Sequence, residues 1–241
     1  MSVVAVKAPT DEVVEVATNV GMARLNYTFA RDRRVATVAL GHGAGGGIEG
    51  LDLVALSRSL TLGGYDVVRV EQPWRVAGRK VAPRPEVLDR AWLELMTSKE
   101  FMNRRHNQLV IGGRSAGARV AARTALALNA RAVVALSFPL HPPGKPERSR
   151  RDELSGRTPT LVVQGERDPF GGPAEFSPLE ETLEVASIPA ADHSFAVGRA
   201  APITQAEVGE LISDRVLRWL ARVLASVAAD SGNRIQTRGV E

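Results

Sequence analysis

Eight short apolar runs, each of strand length, alternate along the chain with longer stretches in which apolar residues recur at helical spacing. Parallel strands need a long return connection, and a helix is the usual one, so this alternation predicts an α/β fold built on a mostly parallel sheet. The runs are Val13–Ala17, Ala23–Phe29, Val35–Leu40, Val67–Val70, Gln108–Ile111, Ala132–Leu136, Thr160–Val163 and Leu183–Ile188. The first two are short and interleaved with polar residues, which suits an antiparallel edge. Between the runs, Leu53, Leu56 and Leu60 share one helical face, and Gly63-Gly64 supplies a stop. Val87, Leu88, Ala91, Trp92 and Leu95 repeat the pattern. A third helix is expected from Ala116 to about Leu128, its alanines allowing a close approach to the sheet. The last helix opens with Thr204-Gln205-Ala206-Glu207, a capping box, and continues with apolar residues from Val208 to Val227. Helices should therefore cover both faces of a sheet of about eight strands. One domain over residues 1–230 is expected, with 231–241 as a loose, polar, glycine-containing tail.

Composition narrows the chemistry. With 241 residues, 44% hydrophobic and 24% charged, the chain can bury one large core. No stretch reaches the roughly 18 apolar residues of a membrane span, and nothing near Met1 reads as a secretion signal, so a cytoplasmic location is expected. There is no cysteine, which removes disulfides, a thiolate nucleophile and thiolate metal ligands. Any covalent chemistry must use oxygen or nitrogen. The net charge of +4 comes from an arginine-rich set: Lys7, Lys80, Lys99 and Lys145 are the only lysines among 31 basic residues, so arginine supplies the other 27. Those arginines are interleaved with acids, as in Arg148-Ser149-Arg150-Arg151-Asp152-Glu153, with neither a basic stripe nor an aromatic platform, and no nucleic-acid partner is expected.

Gly113-Arg114-Ser115-Ala116-Gly117 has the spacing G-x-S-x-G. Five residues match such a pattern easily by chance, but here an apolar strand runs directly in and an alanine-rich helix runs directly out. A serine on that sharp turn has its hydroxyl lifted above the sheet, and the crowding requires small residues two positions either side. A serine hydroxyl is a weak nucleophile at neutral pH, so it needs a base and a group that holds the base in the right tautomer. The chain has four histidines, His42, His106, His141 and His193. His193 lies just beyond the last strand and is the expected base. The acid should lie between nucleophile and histidine, and Asp168, after the strand Thr160–Val163, is the choice, with Glu166 and Asp192 as rivals.

A developing oxyanion needs fixed donors, for which the amide of Ala116 and that of Ala44 are the candidates. Ala44 sits in His42-Gly43-Ala44-Gly45-Gly46-Gly47, after the strand Val35–Leu40, and Gly43 or Gly45 could replace it. The same loop could be a linker or a phosphate cradle, although it has no complete phosphate-binding signature. His42 is expected to shape the loop.

Together these motifs resemble the α/β-hydrolase superfamily over roughly residues 35–227. A narrower resemblance is carried by Gly112 to Ala121, by Phe138-Pro139-Leu140-His141-Pro142-Pro143-Gly144-Lys145-Pro146-Glu147 and by Gly165 to Gly171. It is to the dienelactone-hydrolase-like branch that includes the testis-expressed protein thirty. Where that branch often has methionine and glycine around the elbow, this chain has Ala116 and Ala118, and where dienelactone hydrolases proper use cysteine it has none. The resemblance implies an α/β-hydrolase fold with a short insertion after the sixth strand, at Pro139 to Arg157, too short for a helical lid. There His141 and Lys145 could touch substrate or simply belong to a proline-braced loop.

The leading expectation is a serine hydrolase acting on a small ester-like acyl substrate through an acyl-enzyme, with no cofactor and no metal. The alternatives are a non-catalytic binding or scaffold protein on the same fold, or an acyltransferase or peptidase sharing the triad. Residue pattern leaves the acceptor and the oligomeric state open.

Overall fold

The computed structural model describes residues 11–154 and 156–236. At its centre lies one eight-stranded sheet: β1 (Glu12–Thr18), β2 (Gly21–Thr28), β3 (Ala36–Gly41), β4 (Tyr65–Glu71), β5 (Leu109–Arg114), β6 (Ala132–Leu136), β7 (Thr160–Gly165) and β8 (Leu183–Ile188). Each of the eight apolar runs is a strand. The spatial order is β1-β2-β4-β3-β5-β6-β7-β8. β2 pairs antiparallel with β1 and with β4, and every other pairing is parallel, so the polar-interleaved runs do form the antiparallel edge.

Among the described residues six α-helices accompany the sheet: α1 (Leu51–Leu62), α2 (Pro73–Val76), α3 (Pro85–Thr97), α4 (Lys99–Met102), α5 (Ala116–Thr124) and α6 (Gln205–Gln236). Period-two alternation sorts them onto two faces. Val38 and Leu40 of β3, with Val110 of β5, pack against Leu53, Leu56 and Leu60 of α1 and Val208, Ile212, Val216 and Leu220 of α6. Ala39 and Ile111, pointing the other way, meet Trp92 and Leu95 of α3 and Val120 and Ala121 of α5. Each leucine so buried contributes about 1.5–3 kcal/mol, and a one-residue slip of either strand would forfeit both layers at once.

The capping box at the start of α6 is formed: the Glu207 carboxylate accepts from the Thr204 amide at 2.7 Å, and the Glu207 amide donates back to the Thr204 hydroxyl at 3.3 Å. α6 then runs through Gln236, past the expected boundary at Asp230, so Ser231–Gln236 are helical rather than a loose tail. A lone glycine such as Gly232 costs about 1 kcal/mol in a helix but does not stop one already propagating. The rest of the expected tail, 237–241, lies outside the described residues. The short helices α2 and α4 have no apolar period to announce them. Among the described residues no helix is long and apolar enough to cross a membrane.

From β3 the chain steps outward to β4, then returns to place β5 on the other side of β3. Loops leaving the carboxyl ends of β3 and β5 therefore diverge and leave a crevice, which is where open α/β sheets hold their ligands. The insertion after β6 is short and strapped down. Glu153 is gripped by Arg119 and Arg123 of α5, and Arg123 also forks onto Asp89 of α3 at 2.7 and 2.6 Å. Arg151 donates to the carbonyls of Phe176 and Pro178.

Candidate active site

Ser115 is the residue between β5 and α5, with φ 51° and ψ −109°. A non-glycine residue rarely adopts that conformation, and it holds here because the flanking backbone is so closely packed. A side-chain carbon on Gly113 would stand 2.4 Å from the Gly41 carbonyl oxygen, and one on Gly117 would stand 2.5 Å from the same atom. Both positions thus need glycine for the reason the spacing suggested. The turn lifts the half-buried Ser115 hydroxyl to the carboxyl end of the sheet, above the crevice.

His193 arrives from the loop after β8. Its Nε2 lies 3.0 Å from Ser115 Oγ and its Nδ1 lies 2.8 Å from Asp168 Oδ2. A carboxylate can only accept, so Nδ1 carries the proton and Nε2 is left to accept from the serine hydroxyl. Asp168 is wholly buried and fully used: Oδ1 accepts from the Phe170 amide at 2.8 Å, and Oδ2 also accepts from Gln164 Nε2 at 2.8 Å. Phe170 closes over the imidazole, ring centroids 4.3 Å apart. Beside the serine, the glycine-rich loop after β3 makes its turn with the Gly46 amide donating to the Gly43 carbonyl at 3.4 Å. Gly43 is buried with Ser115 Cβ 3.5 Å from where its own Cβ would stand, and Ala44 is exposed.

With this arrangement in view, the sequence comparison is decisive for the family. A family model described as an alpha/beta hydrolase domain matches residues 34–221. The chain belongs to that family. Solved structures with the same fold include an alpha-beta serine hydrolase homologue from Coxiella burnetii, with TM-score 0.68 at 17% identity, covering 87% of this chain and 99% of that one. A lidless serine hydrolase from Xanthomonas campestris gives 0.64 at 20%, covering 88% and 97%. Est1E from Butyrivibrio proteoclasticus gives 0.64 at 15%, covering 87% and 99%. At these identities the likeness is one of fold. No curated protein matches the sequence.

Within this alpha/beta hydrolase the two rival acids have other partners. Glu166 accepts from the Ser187 hydroxyl at 3.2 Å and the Ala190 amide at 2.9 Å, and Asp192 Oδ1 accepts from the amides of Ser194 and Ala196 at 2.7 and 2.9 Å. Both shape the loop that carries His193; neither bonds its ring. His42 is buried, with Nε2 accepting from the Gln72 amide at 3.2 Å and Nδ1 bonded to the Gly43 carbonyl at 2.9 Å. Burial holds its pKa below the ordinary value, so it is a neutral brace under the glycine loop.

His141 has both ring nitrogens engaged within the protein, with the Pro142 carbonyl and with Glu175 Oε2, each at 2.9 Å. Both partners accept, which favours the doubly protonated ring, and its pKa is raised first by the Pro142 carbonyl and then by Glu175. These two bonds tie His141 into its own loop. Lys145 is exposed in the turn at the tip of the insertion. Gln164 escaped the sequence reading altogether. Its signal was a polar residue closing an otherwise apolar strand, and its Nε2 holds Asp168 Oδ2 together with the carbonyls of Phe138 and Gly171.

Proposed function

We propose that the protein is a serine hydrolase that cleaves a small ester-like acyl substrate with Ser115 as nucleophile, His193 as base and Asp168 as the group that orients it. The observation that carries this reading is the unbroken chain Ser115 Oγ to His193 Nε2 at 3.0 Å and His193 Nδ1 to Asp168 Oδ2 at 2.8 Å, at the end of a strained strand-to-helix turn. His193 takes the serine proton as Oγ bonds to the acyl carbon, and the carbonyl oxygen becomes an oxyanion. The Ala116 amide, at the first residue of α5, and the Ala44 amide are the proposed donors to that oxyanion. Collapse breaks the bond to the leaving alcohol, which departs with the proton from His193. A water then loses its proton to His193, attacks the acyl-serine and releases the acid, restoring the serine.

The surroundings favour a small substrate. The recess behind Ala116 and Gly117, walled by His42, Trp74 and Trp92, gives a water-sized sphere about 10 Å³ to move in, room for about one water molecule. A long acyl chain has no berth in that recess, and the insertion, strapped to α5 through Glu153, carries among its described residues only short helical turns at Pro146–Arg148 and Arg151–Leu154. The motif strings at the elbow, the proline-rich loop and the acid turn favour the dienelactone-hydrolase-like branch within the family. The test is covalent labelling by a fluorophosphonate probe, which reports an activated serine without knowledge of the substrate. Wild type should label and Ser115→Ala should not, with the fold intact by circular dichroism. Absence of labelling and of turnover on a panel of short esters would leave a binding or scaffold protein instead.

A further inference from the structure

The residue before the serine, the variable position of the G-x-S-x-G pattern, makes contacts that the pattern does not explain. Arg114 Nη2 donates to the backbone carbonyl of His193 at 3.1 Å. Its Nε lies 3.3 Å from Asp52 Oδ2, an ion pair in which the aspartate side chain is 4% exposed and the arginine 18%. Its Nη1 lies 4.0 Å from where a Cβ would stand on Gly43 and on Gly46, so the guanidinium fills the space under the glycine loop. Asp52 is in the first turn of α1, where the helix dipole favours a carboxylate. Burial pushes its pKa up and Arg114 opposes that shift.

A buried ion pair is seldom more stable than the apolar pair that could replace it, so its stabilising effect alone is a poor reason for its presence. Its placement supplies a better one. Arg114 is bonded through the backbone to Ser115 and through its guanidinium to His193, so it links the two residues whose 3.0 Å separation matters most. The loop carrying His193 has no regular structure; its internal turn is made by Asp192. Sliding that loop away from the elbow would break the Arg114–His193 bond along with the Ser115–His193 bond.

We propose that Arg114, held by Asp52, is a positioning residue that sets where His193 stands over Ser115. This rests on the serine-hydrolase reading for its consequence in turnover, but not for its geometry. Lysine carries its three donors on one nitrogen at the end of a flexible stem, so it lacks the planar fork with which Arg114 faces Asp52 through Nε and the His193 carbonyl through Nη2.

The experiment compares wild type with Arg114→Lys and, as a second variant should the first fail to fold, the near-isosteric Asp52→Asn. On one short ester, kcat should fall by about 10- to 100-fold with KM within about twofold, as expected of a displaced base. Adding Arg114→Lys to His193→Ala should cost no further residual turnover, because the arginine acts through the histidine. A proton NMR readout needs no substrate: the downfield His193 Nδ1–H resonance, assigned by its loss in His193→Ala, should broaden or vanish in either variant. An unchanged resonance together with an unchanged kcat overturns the proposal, as does an equal loss in the His193→Ala background. If wild type neither labels nor turns over any ester, the hydrolase reading fails, and the resonance alone decides the brace.

Discussion

The molecule contains two imidazole–carboxylate pairs of nearly equal length, His193–Asp168 at 2.8 Å and His141–Glu175 at 2.9 Å, in loops that touch. The His141 amide even donates to the carbonyl of Phe170, the residue whose ring covers His193. They differ in what the second nitrogen meets. For His193 it is a hydroxyl that can give up a proton, so the neutral ring has something to act on as a base. For His141 it is a carbonyl, which only accepts, so the cationic form is favoured and both nitrogens are closed off. The carboxylates differ as well: Asp168 is fully enclosed by fixed donors, whereas the Glu175 side chain is 48% exposed. A histidine beside a carboxylate is thus not by itself a catalytic feature; the third partner makes it one.

The largest expected difference between the pairs is in turnover. Asp168→Asn should lower kcat by about 10⁴-fold by presenting the wrong tautomer, whereas Glu175→Gln should leave it within about threefold. Matching losses would erase the contrast, and a large loss for Asp192→Asn with little for Asp168→Asn would move the orienting role to Asp192. Next in size is the pH profile. The base must be neutral, so kcat/KM should rise with pH and level off, and the residual turnover of His193→Ala should lose that rise. His141→Ala and His42→Ala should keep the wild-type shape even if slower. If His141→Ala were the one to lose it, the insertion would carry the base.

Gln164→Leu tests the enclosure of Asp168. It removes three hydrogen bonds from one buried amide, one of them to a charge, and should lower stability by about 1.5–3 kcal/mol and kcat by about tenfold. A loss of stability with full kcat would make Gln164 a brace only.

The smallest effect belongs to the His141–Glu175 pair and appears in melting temperature. His141 is raised above its ordinary 6.5, so its contribution is complete below that value and fades as pH rises through the folded-state pKa. Glu175 is lowered from its ordinary 4.5, first by the Gly172 amide and then by His141, so its contribution is present above that value and fades as pH falls through the folded-state pKa. The gap in Tm between wild type and Glu175→Gln should therefore be widest from about pH 4.5 to 6.5 and narrow on both sides. A gap independent of pH would mean the pair is not ionic.

What the sequence revealed, and what it hid, divides by range. The strands were legible because alternation and length are local, and the elbow because its G-x-S-x-G spacing between a strand and a helix is local, even though the clash that requires Gly113 and Gly117 is with the distant Gly41 carbonyl. Asp168 and His193 were legible because chain order and strand ends place them. Arg114 and Asp52 were not assigned roles, since each acts through a contact decided by packing between separate elements, and Gln164 was missed although Asp168 is only four residues on, because no residue pattern says that its amide turns back onto the acid. The state of His141 was equally hidden: Glu175 lies 34 residues away, and only the folded loop brings them together.

The backbone angle at Ser115 sets the needs of activity against those of durability. A non-glycine residue in such a conformation costs about 1–3 kcal/mol, and glycine would relieve most of it. Ser115→Gly should then melt later than wild type while losing the proposed chemistry, so that a search for hardier versions guided by heat alone would favour discarding the proposed nucleophile. The side chain found there carries a backbone cost that glycine would not, a cost that the proposed chemistry accounts for and thermal robustness does not.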